Sequence, residues 1–433
     1  MRSSFSTGRH SSRILSVIRI TILVLLGLYL VGCAWATAGR DQDTPGGFSA
    51  AGLERVRETM QAAVDREDVG GVVTLLYRDG EVAQVNAIGF QNPAAGVPMA
   101  RDSIFRIASM TKPITAVATL ILVDEGVFAL DDPVDRWLPE LAAPKVLRDP
   151  TAPLDTAVPA ARSIRIIDLL THRAGIATPR TAPGPLREAL TRADANNDVG
   201  YDRWMKWIGA LPLAHEPGST YIYGNSFDVL GILVERASGM KYPDFVRQRI
   251  FEPLGMTDTD FWIPPAKIDR FASLQSLGRV PASWIPSATK IPNYPAGAGG
   301  LYSTVDDYLK FARMLLGAGQ LGNVRILERE TVRDMTTDYL TEEQRLGRPF
   351  GGLHDFWRGQ GFGLGVAIKL NASVTASELG VASAGAFGWP GVFGTWWEAD
   401  PAKDMILVFM VPGGDAKRAR WDFQAAAYAA MAD

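Results

Sequence analysis

The sequence predicts a mixed α/β protein of the α+β kind: one antiparallel sheet built from both ends of the chain and flanked by helices, with a large, mainly α region inserted between. Three observations carry this. A hairpin pattern lies near the start, three strand-like segments lie near the end, and residues 105–340 read as helices and loops.

Taken in order, Ala50 to Arg66 places Leu53, Val56, Met60 and Val64 on one helical face. Gly71 to Tyr77 and Glu81 to Ile88 follow as strands joined by Arg78-Asp79-Gly80, an Asp-Gly hairpin turn. Phe362 to Leu370, Ala386 to Glu398 and Met405 to Val411 read as further strands, with turns at Asp400-Pro401 and Pro412-Gly413-Gly414. An alanine-rich helix from about Ala416 to Met431 closes the chain. Residues 50–433 thus form one expected domain, with 50–104 and 341–433 supplying the sheet. Lys145 to Arg162 and Thr178 to Asp198, rich in Pro, Ala and Asp, read as loops that either shape a pocket entrance or sit as solvated insertions.

Within the helical region, Ser109-Met110-Thr111-Lys112 spaces a hydroxyl and an amine so that both point the same way on a helix. Pro113 is tolerated only in a first helical turn, because it lacks the N–H that bonds four residues back. Ser109 is therefore expected at a helix N-terminus, where free amides favour developing negative charge and the Lys112 amine can take a proton. That is the geometry of an acyl-transfer nucleophile.

The flanking run Phe105 to Leu138 (FRIASMTKPITAVATLILVDEGVFALDDPVDRWL) closely resembles the nucleophile segment of the serine beta-lactamase-like family. That family includes class C beta-lactamases, penicillin-binding DD-peptidases and related carboxylesterases. Tyr223-Gly224-Asn225, within HEPGSTYIYGNSFDVLGILVERASG, resembles its Tyr-x-Asn element. A phenol serves as a general base only beside a cation such as Lys112, and Asn225 can donate and accept at once, tying the lysine to a substrate carbonyl. The third element departs from the beta-lactamase pattern. Where those enzymes carry Lys-Thr-Gly, this chain has Trp389-Pro390-Gly391, similar to the Trp-Gly-Gly of the carboxylesterases. Gly391 keeps the backbone close to substrate, the Val392 amide joins that of Ser109 as oxyanion donor, and Trp389 offers an apolar wall instead of a cation.

The resemblance covers nearly all of residues 50–430 and implies the beta-lactamase/transpeptidase-like architecture, with the site at the seam between helical region and sheet. It implies a serine hydrolase acting on a carboxylic ester through an acyl-serine intermediate. The alternatives are a DD-peptidase or beta-lactamase, which needs a cation for a substrate carboxylate, with Arg418 or Arg420 as candidates, and a catalytically silent surface protein that binds cell-wall fragments. His172, in IIDLLTHRAG, reads as packing, and GAGGLYSTVD at 297–306 as a glycine turn before a Ser/Thr helix cap.

Composition narrows the partners. A net charge of −3 with no basic run in the body of the chain argues against nucleic acid. Four widely spaced histidines argue against a histidine-based metal site, and no cofactor is expected. The expected substrate is a small ester or a cell-wall-derived molecule, and oligomeric state is not legible. At the N-terminus, four arginines precede the apolar stretch Ile20 to Gly32, a length that suits a secretory segment. It ends Leu30-Val31-Gly32-Cys33, which resembles a bacterial lipobox with Cys33, the only cysteine, as the lipidated residue. Small-residue cleavage sites at 34–38 and an uncleaved anchor helix are the other readings. Residues 1–39 are thus expected to be a lipoprotein-type signal peptide and 40–49 a linker. The body is exported to the periplasm or cell surface, held by a lipid anchor or otherwise secreted.

Overall fold

The computed structural model describes Met1 and residues 45–432, apart from 183, 195–198, 276–284, 286, 347–356, 376–378 and 415. The expected signal segment and Cys33 lie outside the described residues.

Helix α1 (Ala50–Asp65) starts where the Ser49 hydroxyl accepts the Gly52 amide and buries Val56 and Met60. Strands β1 (Gly71–Arg78) and β2 (Glu81–Asn92) form the expected hairpin. Asp79 and Gly80 both take positive φ, 49° and 88°, as a turn matched to the strand twist requires. A short β3 (Val97–Pro98) pairs with β2. Helix α2 (Thr111–Asp124) is buried on all sides from Thr111 to Leu122, which makes it the axis of the helical region.

Two expected loops hold more order than their composition implies. Residues 145–162 contain a two-residue ladder, Lys145 to Pro159 and Val146 to Val158. Within Thr178 to Asp198 lies helix α3 (Gly184–Asp194), whose Leu186 and Leu190, four apart on one face, are buried. Helix α4 (Tyr201–Gly209) packs on it. Helices α5 (Ser226–Ser238) and α6 (Val305–Leu316) follow, α5 lying against α2.

The C-terminal strands are shorter than expected, because glycines fold two segments into hairpins. Phe362 to Leu370 divides into β4 (Gln360–Phe362) and β5 (Ala367–Lys369), with Gly365 between them at φ 90°. Ala386 to Glu398 divides into β6 (Phe387–Pro390) and β7 (Trp396–Asp400) around a turn closed by the Gly391 amide donating to the Thr395 carbonyl at 2.7 Å. Strand β8 (Met405–Met410) and helix α7 (Ala416–Ala429) complete the chain.

The sheet runs β4-β5-β6-β7-β8-β1-β2-β3, antiparallel throughout, so β8 from the C-terminal end pairs directly with β1 from the N-terminal end. Alternation sorts the side chains between its two faces. Val73, Leu75, Ile406 and Val408 face the helical region, whereas Val72, Leu76, Leu407 and Phe409 pack with α1 and α7. Burial on both faces explains why β1 and β8 read as continuous apolar runs. The architecture is the expected one: a single antiparallel sheet built from both ends of the chain, with a mainly helical region inserted between.

Candidate active site

Ser109 lies in a single 3-10 turn, Ala108–Met110, immediately ahead of α2, and Pro113 is the third residue of that helix. Ala108 takes φ 45°, an uncommon conformation for a residue with a side chain. The bend is pinned from outside. The Ile107 amide donates to the Leu301 carbonyl at 3.1 Å, and the Leu301 amide donates to the Thr111 hydroxyl at 3.2 Å. The turn presents a half-buried Ser109 with its amide free of any described acceptor.

Two side chains meet the Ser109 hydroxyl. Tyr223 Oη lies 2.7 Å from Ser109 Oγ, and Lys112 Nζ donates to the same oxygen at 3.1 Å. Lys112 is 3% exposed. Its ammonium sits 4.6 Å from the centre of the Tyr223 ring and donates a second bond, 2.6 Å, to the Ala298 carbonyl. The three groups therefore form one contact cluster.

Tyr223 is fixed on several sides. The Thr181 hydroxyl donates to its backbone carbonyl at 2.8 Å, so the start of the Thr178 to Asp198 segment belongs to the site's support. Its ring is stacked with Trp389 at 5.9 Å and tilted over His172 at 4.7 Å. Gly224 has to be glycine here because a Cβ would lie 1.8 Å from the Ile176 carbonyl oxygen. His172 is wholly buried. Burial, then the Lys112 charge, holds its imidazole well below the usual histidine range, so the ring is neutral and its Nδ1 accepts the Gly224 amide at 3.4 Å. It is a packing residue under Tyr223, as its neighbours in the sequence imply.

Asn225 precedes α5 and is 8% exposed; its Nδ2 has no partner among the described residues, and it makes no hydrogen bond to Lys112. The lysine is instead held by Ala298. Trp389, at 2% exposure, packs its rings against Tyr223 and Phe362 and presents almost no open face. Gly391 is fixed by close approach: a Cβ there would lie 2.2 Å from Thr395 Oγ1 and 2.6 Å from the Ile107 carbonyl oxygen. Thr395 Oγ1 in turn donates to that carbonyl at 3.2 Å, which seats the β6–β7 turn directly on the turn carrying Ser109. The Val392 side chain is exposed, and its amide, like that of Ser109, has no described acceptor.

Neither candidate cation of the last helix meets this cluster. Arg420 is buried with its guanidinium 5.8 Å from the Trp396 ring, on the α1/α7 face of the sheet, and Arg418 approaches Asp422 at 3.8 Å. Among the described residues no group of His, Cys, Asp or Glu is arranged to hold a metal ion.

The sequence left three participants unseen: Thr181, Asp228 and the Ala298 carbonyl. Asp228 is buried on α5 and accepts the Ala298 amide at 3.0 Å. Burial pushes its carboxyl up to about 6, against the opposing pull of the Ala298 amide and Lys112. The one available signal was the glycine run at 297–300, whose backbone has to pass close to α2 and α5. There a Cβ on Gly297 would lie 2.4 Å from the Phe227 carbonyl oxygen.

The chain is similar to known proteins over most of its length. Residues 56–430 match the Beta-lactamase family. The chain is 41% identical over 365 residues to Protein Rv1367c of Mycobacterium tuberculosis, covering 82% of this chain and 88% of that one. It is 31% identical over 398 residues to the esterase EstB of Burkholderia gladioli, covering 86% and 94%. Among solved structures, EstCE1, described as a hydrolase with promiscuous acyltransferase activity, superposes with a TM-score of 0.72 at 26% identity, covering 87% of this chain and 99% of that one. On the strength of the family match and of relatives that span nearly the whole body of the chain, the protein belongs to the Beta-lactamase family and is a serine hydrolase of that fold.

Proposed function

We propose that the protein hydrolyses small, uncharged carboxylic esters through an acyl-enzyme on Ser109. The observation that carries this is the 2.7 Å contact between Ser109 Oγ and Tyr223 Oη with Lys112 Nζ at 3.1 Å from the same serine. Lys112 and Tyr223 share the proton transfer: the serine proton passes through this pair to Tyr223 Oη as Oγ attacks the ester carbonyl carbon. The oxyanion forms against the free amides of Ser109 and Val392. As the C–O bond breaks, the proton held on Tyr223 passes to the departing alkoxide, which leaves as an alcohol. Water then attacks the acyl carbonyl, giving one proton to Tyr223; the released serine oxygen recovers it, and the carboxylic acid departs. Asn225, with its Nδ2 unpartnered, orients the substrate carbonyl side.

The preference for an ester over a peptide or β-lactam rests on charge. A penicillin or cell-wall peptide brings a carboxylate that needs a cation. The third motif supplies Trp389 in place of lysine, and Arg418 and Arg420 are engaged elsewhere. The relative EstB bears the name esterase, which favours the same reading. A panel of short- and medium-chain p-nitrophenyl esters beside nitrocefin tests it, with Ser109→Ala as control. Turnover of esters only, lost in S109A together with fluorophosphonate labelling, is the expected result. Labelling that persists in S109A, or stable acylation by a labelled penicillin, overturns the assignment.

We also propose that the body is exported and anchored by lipid on Cys33, from the run Leu30-Val31-Gly32-Cys33 after an apolar stretch. Metabolic labelling with an alkyne fatty acid should mark the protein and fail to mark Cys33→Ser. Equal labelling of both overturns it.

A further inference from the structure

We propose that Asp228 is a positioning residue of the acyl-transfer site: its carboxylate fixes the Ala298 peptide unit that holds the Lys112 ammonium against Ser109. The inference rests on the reading of Ser109 and Lys112 as catalytic groups, and its test is arranged to separate the two.

The chain of contacts is continuous, linking the buried Asp228 and Lys112 through the half-buried Ala298 to the half-buried Ser109. Asp228 Oδ1 accepts the Ala298 N–H at 3.0 Å; the Ala298 carbonyl accepts Lys112 Nζ at 2.6 Å; Lys112 Nζ donates to Ser109 Oγ at 3.1 Å. Asp228 lies in the first turn of α5, three residues after Asn225, so one helix start supplies both an expected substrate contact and the support of the lysine. Without an anchor, residues 297–300 are a glycine-rich strap with wide conformational freedom, and a carbonyl on such a strap holds no fixed direction. A neighbouring bond restrains the other side of the strap: the Thr115 hydroxyl, which also meets Tyr242 Oη, donates to the Gly297 carbonyl at 2.6 Å. The strap is thereby tied to α2 through Lys112 and Thr115 and to α5 through Asp228.

The carboxylate also answers a charge. Lys112 is buried and makes no ion pair within 4 Å among the described residues, and Asp228 is a buried carboxylate that its charge acts on. Lys112, Tyr294, Tyr242 and Tyr201 are the titratable groups facing Asp228, and Lys112 alone among them is cationic. A charged carboxylate accepts an N–H bond about twice as strongly as a neutral one. With the carboxyl at about 6, protonation on descending from pH 8 to 5 weakens its hold on Ala298, and the strap loosens under Lys112.

The test measures kcat and KM on p-nitrophenyl butyrate, and the rate of fluorophosphonate labelling at Ser109, from pH 4.5 to 9 in the full-length protein and in Asp228→Asn. Asparagine keeps an oxygen for the Ala298 amide and removes the charge. The wild type should lose labelling rate and kcat below about pH 6. D228N should run at roughly a tenth of the wild-type rate at pH 8, with KM within about twofold and no inflection near pH 6, as a side chain locked in the neutral form. A D228N profile that overlays the wild type in rate and shape overturns the proposal. If D228N does not fold, a wild-type labelling rate that is flat between pH 5 and 7 overturns it alone, and an inflection there supports it. Labelling of Ser109 without ester turnover would count against the ester reading only, because the Asp228 profile is still read from labelling.

Discussion

Ser109 Oγ and Tyr223 Oη stand 2.7 Å apart although 114 positions separate them in the chain. The contact forms because α2 and α5 pack side by side and each begins at the same end of the helical region, so the two helix starts deliver their polar residues to one point. Tyr223→Phe keeps the ring stacked between Trp389 and His172 and removes only the proton acceptor. We expect kcat on esters to fall roughly 10²- to 10⁴-fold with little change in melting temperature. Wild-type kcat in that variant would exclude Tyr223 as the base.

Gly391→Ala tests how the sheet edge carries the nucleophile turn. The added methyl would stand 2.6 Å from the Ile107 carbonyl oxygen and 2.2 Å from Thr395 Oγ1, so the turn at Ser109 or the β6–β7 turn has to move. A destabilisation of about 1–3 kcal/mol is expected from overpacking, with a larger loss in kcat than stability alone accounts for. Denaturant melts and initial rates on the same preparation check both, and unchanged values of each would contradict the seating described above.

Thr181→Val removes the hydrogen bond to the Tyr223 carbonyl while keeping the side chain's shape. The expected cost is about 1 kcal/mol in stability together with a several-fold drop in kcat. If activity is untouched, the Thr178 to Asp198 segment supports the fold but not the site.

The sheet carries a pH dependence of its own. Glu398 is 1% exposed and takes hydrogen bonds from Gln424 at 2.6 Å and from Tyr428 Oη at 2.8 Å, while the same phenol lies 2.7 Å from Asp400. One phenolic proton cannot serve two carboxylates at once, so charge on both Glu398 and Asp400 is disfavoured and buried Glu398 is the group pushed towards its protonated form. Burial first, and then Asp400, pushes Glu398 up to about 8. Because its folded value lies above its unfolded one, this proton stabilises the fold fully below about pH 4.5, and the contribution is lost as the pH rises through about 8. Melting temperature should therefore fall by roughly 3 °C between pH 6 and 9, and Glu398→Gln should flatten that slope. A wild-type slope retained in E398Q would place the titrating group elsewhere.

Much of the site was legible because its signals are local. Ser109, Lys112 and Pro113 sit within one helical turn, and Tyr223 with Asn225 immediately precedes an apolar helix, so spacing alone aligns each set. Thr181, Asp228 and Ala298 were not legible: a lone threonine, an aspartate in a helix's first turn and a backbone carbonyl carry no pattern until a distant segment is packed on them. The strand boundaries failed for a related reason. Glycine and apolar residues alternate through 362–370 and 386–398 much as in an unbroken strand, and only the positive φ of Gly365 and the Gly391–Thr395 bond reveal the turns.

The sequence by itself determined the architecture, the segments that pair into the sheet, and the residues competent for nucleophilic chemistry, because periodicity and short motifs are properties of neighbours along the chain. Only the tertiary structure decided how those groups are held. It placed Lys112 on the Ala298 carbonyl instead of Asn225, turned Trp389 inward against Tyr223, and kept Arg420 against Trp396 on the opposite face of the sheet. Those choices depend on close approaches between segments far apart in sequence, where the space left by a glycine or the depth of burial of one carboxylate outweighs any local preference.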